Sequence, residues 1–464
     1  MDPIIGTTAR GLLAALQAGE LTLVEVLDAL ERRVREVEPA LNALPTLCFE
    51  RAREAAARPG ARRGTLGGLP VAIKDLAMVA GVRSTRGSAI YADHVPAASD
   101  HVVERIERAG GIVYAKSNTP EFGAGASTFN EVFGRTANPW NTGRSPAGSS
   151  GGAAAALASG AAWLAHGSDM GGSLRNPASF CGVVGLRPSP GRVPSGPAPD
   201  PFETLGVEGP MARNLGDLGL FLDALAGPDP REPQAQPCNG GFRAAAEAPR
   251  VPRRVAFSRS LGISPVDPEI AAVCEAAAQR LEGLGAVVEA AEPDFTDAME
   301  AFQTLRGVAY ATVHARHYAE HRERLKPDVG WNIEKGQAVT GAEIARANAI
   351  RARMVAEAAR FFETYDLLLC PTTIVPPFPV DRRTVTECAG VVFETYIDWL
   401  AIVSAVTLTS APALSLPCGF TGDGLPVGLQ MIAPFRAEAR LLSHAAALEA
   451  ELDLALGPID PRSP

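Results

Sequence analysis

Two glycine-rich turns that carry serine constrain this chain more than any other feature of its sequence. The first reads Ser145-Pro-Ala-Gly-Ser-Ser-Gly-Gly152 and the second Asp169-Met-Gly-Gly-Ser-Leu-Arg175, and a lysine stands upstream in Val71-Ala-Ile-Lys-Asp75. Glycine lets backbone N–H groups approach a developing oxyanion, and a serine hydroxyl becomes a good nucleophile only when a base removes its proton. Serine, lysine and bare backbone together indicate acyl-transfer chemistry of the Ser–Lys type, which needs no histidine, metal or cofactor.

The composition limits the class of protein. The chain has 464 residues, of which 46% are hydrophobic and 20% charged, the balance of an ordinary globular protein. A net charge of −9 argues against a nucleic-acid surface, and no apolar stretch reaches the length of a membrane span. The seven cysteines are widely spaced and odd in number, which favours reduced thiols. We therefore expect a cytoplasmic protein without nucleic-acid or membrane partners, and a homodimer on the general frequency of twofold oligomers.

On these motifs the chain resembles the amidase signature family of serine amide hydrolases. The likeness is dense over residues 66–215 and continues thinly elsewhere. Besides the two turns, it rests on Gly68-Leu-Pro-Val-Ala-Ile-Lys-Asp75, Lys116-Ser-Asn-Thr-Pro-Glu-Phe122, Asn176-Pro-Ala-Ser-Phe-Cys-Gly-Val-Val-Gly-Leu-Arg-Pro188, Pro412-Ala-Leu-Ser-Leu-Pro-Cys418 and Gly424-Leu-Pro-Val-Gly-Leu-Gln-Met431. One departure lies in the first turn, where Ala147 stands in place of a glycine that the family usually has.

The apolar pattern predicts strands that alternate with helices. Residues 71–73 form a short apolar run that predicts a buried strand with Lys74 at its end, and residues 153–159 predict a helix. With the resemblance, this indicates an α/β fold in which helices cover both faces of a central mixed sheet. We expect one domain over residues 1–464: an N-terminal helical segment (about 1–60), a signature core (about 66–215) and a Pro/Gly-rich surface crossover (about 227–253).

The resemblance implies a role for each motif residue. Ser173 would be the nucleophile, Ser149 a bridging serine at a cis peptide bond that relays the proton, and Lys74 the base. The backbone N–H groups around Met170, Gly171 and Gly172 would bind the oxyanion, and Phe122 and Gly123 would line the acyl pocket. Burial can lower the pKa of a lysine, which would allow Lys74 to act as a base near neutrality.

Other interpretations accompany these roles. Ser173 and Ser149 could each be helix-capping serines, and Ser150 competes with Ser149 for the relay. Lys74 could pair with the neighbouring Asp75, although consecutive strand residues face opposite sides, so we expect Asp75 to point away.

Several residues outside the proposed triad also invite a functional interpretation. Asp169 and Arg175 are expected to brace the nucleophile's loop, and Cys181 to be a buried structural thiol. His314, His317 and His321 have a spacing that could hold zinc, but solvated histidines are the favoured interpretation, so no metal site is expected.

The expected reaction is hydrolysis of a small carboxamide to a carboxylic acid and ammonia or an amine. The alternative is a glutaminase-type subunit of an amidotransferase complex. That role is disfavoured because residues 305–335 lack an Asn-Leu-Ala-Arg-Phe-Asp-Gly stretch expected in such proteins, and because the chain is acidic. A scaffold that kept the fold and lost activity is a third hypothesis, and the presence of Lys74, Ser149 and Ser173 together argues against it.

Overall fold

The computed structural model describes residues 1–454 and 456–463. Its main feature is an eleven-stranded mixed sheet, whose strands lie between residues 46 and 432. In chain order the strands are β1 (Thr46–Leu47), β2 (Pro70–Lys74), β3 (Ile112–Ser117), β4 (Phe129–Asn130), β5 (Gly134–Arg135), β6 (Leu164–Asp169), β7 (Val184–Arg187), β8 (Val207–Ala212), β9 (Arg254–Phe257), β10 (Val287–Ala290), β11 (Leu367–Pro371), β12 (Glu387–Cys388), β13 (Val391–Val392), β14 (Ala413–Phe420) and β15 (Pro426–Ile432).

The strand order in the main sheet is β1-β3-β2-β6-β8-β7-β14-β15-β11-β9-β10. Strands β3, β2 and β6 are mutually parallel, as are β11, β9 and β10, whereas the strands between β6 and β11 pair antiparallel. The β4–β5 and β12–β13 pairs form separate two-stranded ribbons. This architecture confirms the predicted α/β fold with a central mixed sheet.

Helices flank the sheet and connect its strands. They are α1 (Pro3–Gly6), α2 (Ala9–Ala18), α3 (Leu23–Leu41), α4 (Phe49–Ala57), α5 (His101–Arg108), α6 (Gly151–Ala158), α7 (Arg175–Cys181), α8 (Leu215–Leu225), α9 (Phe242–Ala246), α10 (Pro268–Gly283), α11 (Ala298–His321), α12 (Pro327–Ala338), α13 (Gly341–Thr364), α14 (Ala401–Leu408) and α15 (Glu438–Leu452). Within the described ranges, no helix is both long and apolar enough to cross a lipid bilayer.

Local sequence patterns account for several of these elements. The helix predicted over residues 153–159 is α6, and Thr22 with Glu25 forms the capping box that begins α3. The segment 227–253 holds only the short helix α9. Helix α11 ends at His321, and a separate helix, α12, folds back against it.

The parallel strands β2 and β6 bring the two turns to one edge of the sheet. All five residues of β2 are buried, as expected for a strand with neighbours on both sides. Lys74 is the last residue of β2, and the turn that carries Ser173 follows directly after β6. Because carboxyl ends of parallel strands meet at one edge, where α/β folds bind ligands, the lysine and the serine turn lie together.

Helix α6 holds the first serine turn against the sheet. Every residue of α6 is buried, and its first turn begins with Gly151 and Gly152. A Cβ atom on Gly152 would lie 2.5 Å from the Ala43 carbonyl oxygen and would also overlap the Asn118 backbone. Glycine is therefore required for this close approach, which fixes the serines at the helix N-terminus.

Helices α11 and α12 form an antiparallel pair over the same edge. They touch at Gly307 and Gly336, where a Cβ atom on Gly336 would overlap the Gly307 carbonyl group. Tyr310 and His314, both on α11, line a cavity at this edge of the sheet. The glycine contact therefore positions one wall of that cavity.

We predict that Gly336→Ala separates α11 from α12 and costs about 1–3 kcal/mol of stability through overpacking. The midpoint of thermal unfolding should fall, because the two helices can no longer approach each other as closely. Gly330→Ala is the matched control on α12, since its Cβ atom would find only Tyr318 Cε2 at 3.7 Å. Equal melting midpoints for the two variants would contradict the role assigned to the Gly307–Gly336 contact.

Candidate active site

A cavity of about 270 Å³ opens at the carboxyl edge of β6. Both turn serines, Ser149 and Ser173, line it, and so do Phe122, Gly123 and Met170. The structure therefore brings residues from three separate sequence motifs to one cavity. Gly171 and Gly172 lie in the turn between Met170 and Ser173.

Lys74 is fully buried beside this cavity and has serine partners only. Its Nζ lies 2.7 Å from Ser149 Oγ, 3.0 Å from Ser168 Oγ and 3.3 Å from the Ser168 carbonyl oxygen. Burial lowers the pKa of Lys74 to about 7, against the opposing effect of the negative charges of Glu208 and Asp169. A substantial fraction of Lys74 is therefore a neutral amine at neutral pH.

The neighbouring Asp75 points away from Lys74, as strand alternation predicted. It pairs instead with a second buried lysine, Lys116, whose Nζ donates to Asp75 Oδ1 at 2.7 Å. The same ammonium donates to the Ala77 carbonyl oxygen at 2.7 Å and to Ser84 Oγ at 2.9 Å, so all three of its protons have acceptors. Asp75 is thereby committed to Lys116, and Lys74 has no carboxylate among its hydrogen-bond partners.

The first turn presents Ser149, rather than Ser150, to the lysine. The Gly148–Ser149 peptide bond is cis, and Ala147 has a φ of 59°, a left-handed conformation that explains why glycine is usual there. Ser150 Oγ donates instead to the Ser168 carbonyl oxygen at 3.3 Å. The Ser150 N–H donates to the Ser173 carbonyl oxygen at 3.1 Å, which ties the two serine turns together.

Asp169 and Arg175 brace the second turn, as predicted. Asp169 accepts hydrogen bonds from the N–H groups of Gly172 and Leu174 at 3.0 and 3.1 Å. Arg175 donates to both of its carboxylate oxygens, at 2.8 and 3.0 Å. Burial alone would raise the pKa of Asp169, but the charges of Arg175 and Arg187 and these hydrogen bonds lower it well below its usual range. Asp169 is therefore a permanent anion that shapes the loop.

The turn also offers backbone donors to the cavity. The Gly172 N–H is occupied by Asp169. In the described part of the chain, no protein group accepts from the N–H groups of Met170, Gly171 or Ser173. The N–H groups of Met170 and Gly171 therefore remain available as oxyanion donors, together with the N–H of Ser173 itself.

An aromatic wall faces the serines across the cavity. The rings of Phe122 and His314 lie 4.4 Å apart, His317 stacks on Phe122 at 5.3 Å, and Tyr310 donates to the Phe122 carbonyl oxygen at 3.2 Å. Burial, followed by the proximity of His317, lowers the pKa of His314 to about 3. His314 is therefore a neutral, buried ring, and the prediction that it is solvated was wrong because α11 packs this face onto the Phe122 loop.

The geometry gives little support to a histidine metal site or to a reactive thiol at Cys181. Over the residues that the structure describes, no group of three His, Cys, Asp or Glu side chains could hold a metal ion, and His317 instead contacts the Tyr91 hydroxyl at 2.7 Å. Cys181 is fully buried on α7, and burial raises the pKa of its thiol far above the ordinary value. An inert structural thiol was predicted there, and the environment agrees with that prediction.

Comparison with known proteins identifies the family. The Amidase family model matches residues 25–442, which is most of the chain. The chain belongs to the amidase signature family. This amidase is 34% identical to an acylamidase of Rhodococcus erythropolis, over 96% of this chain and 95% of the relative. It is also 37% identical to a glutamyl-tRNA(Gln) amidotransferase subunit of Thermus thermophilus, over 95% and 96% of the two chains.

Solved structures of other amidases share the fold along almost the whole chain. A bacterial aryl acylamidase of the amidase signature family superposes with a TM-score of 0.89 at 26% identity, covering 97% of each chain. A 6-aminohexanoate cyclic dimer hydrolase, solved with its substrate, gives 0.87 at 29% identity over 98% of each chain. Together with the family match, these relatives show that the amidase is a hydrolase of amides.

We predict that kcat/KM for an uncharged amide rises with pH through about 7 and then levels off. Below the pKa of Lys74, which burial lowers to about 7, the ammonium cannot accept a proton, and above it the neutral amine can. A steady-state pH profile measures this directly. Lys74→Arg is the matched variant, because arginine stays protonated, and it should lose a factor of about 10²–10⁴. A pH-independent rate through neutrality would contradict a role for Lys74 as base.

Proposed function

We propose that this amidase is a stand-alone hydrolase of small uncharged carboxamides, with Ser173 as nucleophile, Ser149 as proton relay and Lys74 as base. The observation that carries the proposal is the 2.7 Å contact between Lys74 Nζ and Ser149 Oγ, in a cavity that Ser173 also lines. A buried lysine that lacks a carboxylate partner is costly to keep charged, and a neutral amine next to a serine hydroxyl is a base.

The proposed acylation step transfers one proton through Ser149. Ser149 passes its proton to neutral Lys74 and takes the proton of Ser173 as the Ser173 oxygen attacks the amide carbonyl carbon. The structure has no direct hydrogen bond between the two serine hydroxyls in the described residues, and such contacts commonly tighten only when substrate is bound. The N–H groups of Met170, Gly171 and Ser173 receive the oxyanion of the tetrahedral intermediate.

Collapse of that intermediate breaks the C–N bond and leaves an ester at Ser173. The proton held by Lys74 returns through Ser149 to the leaving nitrogen, which departs as ammonia or an amine. Water then attacks the ester, loses its proton along the same route, and releases the carboxylic acid with Ser173 restored. No proton is gained or lost by the enzyme over the cycle.

The cavity wall supports an uncharged substrate with an apolar or aromatic acyl group. Phe122, Tyr310, His314 and Val313 supply aromatic and aliphatic surface. No lysine or arginine lines the cavity in the part of the chain that the structure describes, and its acidic lining residues include Glu203 and Glu208. A substrate carboxylate would therefore be desolvated without a cationic partner, which is costly.

One observation supports a second candidate function, that of a glutaminase-type subunit. The 37% identity to the amidotransferase subunit of Thermus thermophilus extends over nearly both whole chains, so overall likeness does not separate the two functions. Glutamine carries an α-carboxylate, and the cation-free cavity argues against it. Ammonia release from glutamine that increases when a partner protein is added would favour this candidate.

We also propose a single domain over residues 1–464 that associates as a homodimer without nucleic-acid or membrane partners. The eleven-stranded main sheet, whose strands are drawn from both ends of the chain between β1 and β15, supports one domain. The homodimer rests on general frequency alone. Mass determination in solution tests it.

We predict that an amide panel separates the candidates. The panel contains acetamide, benzamide, an anilide, a long-chain amide and glutamine, and ammonia or amine release is the readout. Benzamide or the anilide should be hydrolysed faster than glutamine because of the aromatic, cation-free wall. Ser173→Ala should reduce the rate by more than about 10³-fold. Activity that survives in this variant would show that another residue is the nucleophile, and turnover of glutamine alone would support the amidotransferase role.

The two adjacent serines give a matched pair for the relay. We predict that Ser149→Ala lowers kcat by about 10²-fold or more, because Lys74 then has no path to Ser173. Ser150→Ala removes a hydroxyl of the same size that binds only the Ser168 carbonyl oxygen, and it should cost much less. A larger loss for Ser150→Ala than for Ser149→Ala would transfer the relay to Ser150.

A further inference from the structure

We propose that Glu208, held in place by His166, is a positioning residue that acts on Lys74 as the counter-charge for the ammonium formed during catalysis. The inference rests on the proposed function, in which Lys74 is the base. It adds to that mechanism a His–Glu pair on the sheet, with the histidine buried and the carboxylate at the cavity edge, which contributes no group to bond making or breaking.

The register of β6 and β8 places this pair beside the lysine. The two strands are antiparallel, with Ser168 opposite Glu208 and His166 opposite Pro210, so His166, Ser168 and Glu208 share one face. His166 Nε2 lies 2.7 Å from Glu208 Oε2, and the side chains are 1% and 18% exposed. Ser168, which follows His166 by two residues on β6 and lies opposite Glu208, is the residue whose hydroxyl lies 3.0 Å from Lys74 Nζ.

The other charged groups around Lys74 are already compensated. Asp169, also on β6, is paired with Arg175 at 2.8 Å and lies 3.6 Å from Arg187. Asp75 is paired with Lys116. Among the described residues, Glu208 has no lysine or arginine partner, and the first turn contributes only the uncharged Ser149. Glu208 is therefore the carboxylate near Lys74 whose charge no other cation neutralises.

The imidazole orients Glu208 without cancelling its charge. His166 Nδ1 is buried and has no hydrogen-bond partner in the described structure, so a proton on that nitrogen would lack an acceptor. This favours the tautomer with its proton on Nε2, which donates to Glu208. This hydrogen bond fixes the carboxylate at the cavity edge, where Glu208 lines the same space as Ser149 and Ser168.

This arrangement has a direct catalytic consequence. When Lys74 accepts a proton, an ammonium forms in a buried site, where an unpaired charge is costly. The Glu208 carboxylate stabilises that ammonium, and the same field opposes the effect of burial on the pKa of Lys74. Glu208 thus keeps Lys74 basic enough to accept a proton although it is buried.

The test is the pH profile of Glu208→Gln. Removing the negative charge should move the midpoint of the acidic limb of kcat/KM to lower pH, by on the order of one unit, because a protonated Lys74 loses its counter-charge. The plateau should fall roughly threefold because the base is weaker. Labelling of Ser173 by a fluorophosphonate, followed against pH, should shift in the same direction and does not depend on the choice of amide.

Glu232→Gln is the matched control. It removes the negative charge from a second His–Glu contact, between His101 Nδ1 and Glu232 Oε1 at 2.7 Å, whose residues do not line the active-site cavity. It should leave the pH midpoint where it is in the native enzyme. A structural role of Glu208 would lower the rate or the melting midpoint without moving the pH midpoint, so an unmoved or raised midpoint in Glu208→Gln overturns the inference.

A second pair of variants covers the case in which Glu208→Gln does not fold. His166→Leu removes the donor to Glu208 and should lower the pH midpoint, whereas His166→Gln keeps an N–H donor and should restore it. Equal midpoints for these two variants also overturn the inference. Failure of the proposed function would show itself differently, as amide hydrolysis or fluorophosphonate labelling that persists in Ser173→Ala.

Discussion

The site depends on two buried lysines, Lys74 and Lys116, that have different partners. Lys116 and Lys74 lie at the ends of neighbouring parallel strands, yet only Lys116 has a carboxylate, because Asp75 faces its side of β2. A buried ammonium that is paired and fully hydrogen-bonded is tolerated, whereas one without a carboxylate is driven toward the neutral amine. The alternation of a single strand thus gives two adjacent positions, 74 and 75, opposite electrostatic roles.

The second requirement is a turn whose backbone cannot move. Asp169 fixes it from within through the N–H groups of Gly172 and Leu174. Arg175 links that carboxylate to segments more than two hundred residues later in the chain. Its Nη1 donates to Gln430 Oε1 at 2.5 Å and to the Val403 carbonyl oxygen at 3.1 Å. The late strands and α14 therefore hold in place the donors that would meet an oxyanion, and preorganised donors cost no rearrangement during reaction.

The sequence predicted what is encoded locally and missed what depends on distant packing. Short motifs and strand alternation predicted Lys74 at the end of a buried strand, Asp75 facing away from it, and the serines at glycine turns. The engagement of the Gly172 N–H by Asp169 was missed because it depends on the curl of a loop. The burial of His314 depends on α11 folding over Phe122, and the His166–Glu208 pair joins residues 42 positions apart through the register of β6 and β8. A His-Gly-Ser-Asp run in an otherwise apolar strand was the one local signal of that pair.

The acidic edge of the cavity at Glu208 affects both the pKa of Lys74 and the range of substrates proposed for the cavity. An arginine or lysine placed in the cavity to bind a substrate carboxylate would add positive charge near Lys74 and lower its pKa further, which would weaken the base. A cavity edged by Glu208 has the opposite effect, because it supports the protonated lysine and repels anionic substrates. Recognition is then left to the apolar surface of Phe122, Tyr310 and Val313 and to the backbone donors of the serine turn. In the proposed mechanism, the same acidic edge that would keep the buried lysine usable as a base would also favour uncharged amides.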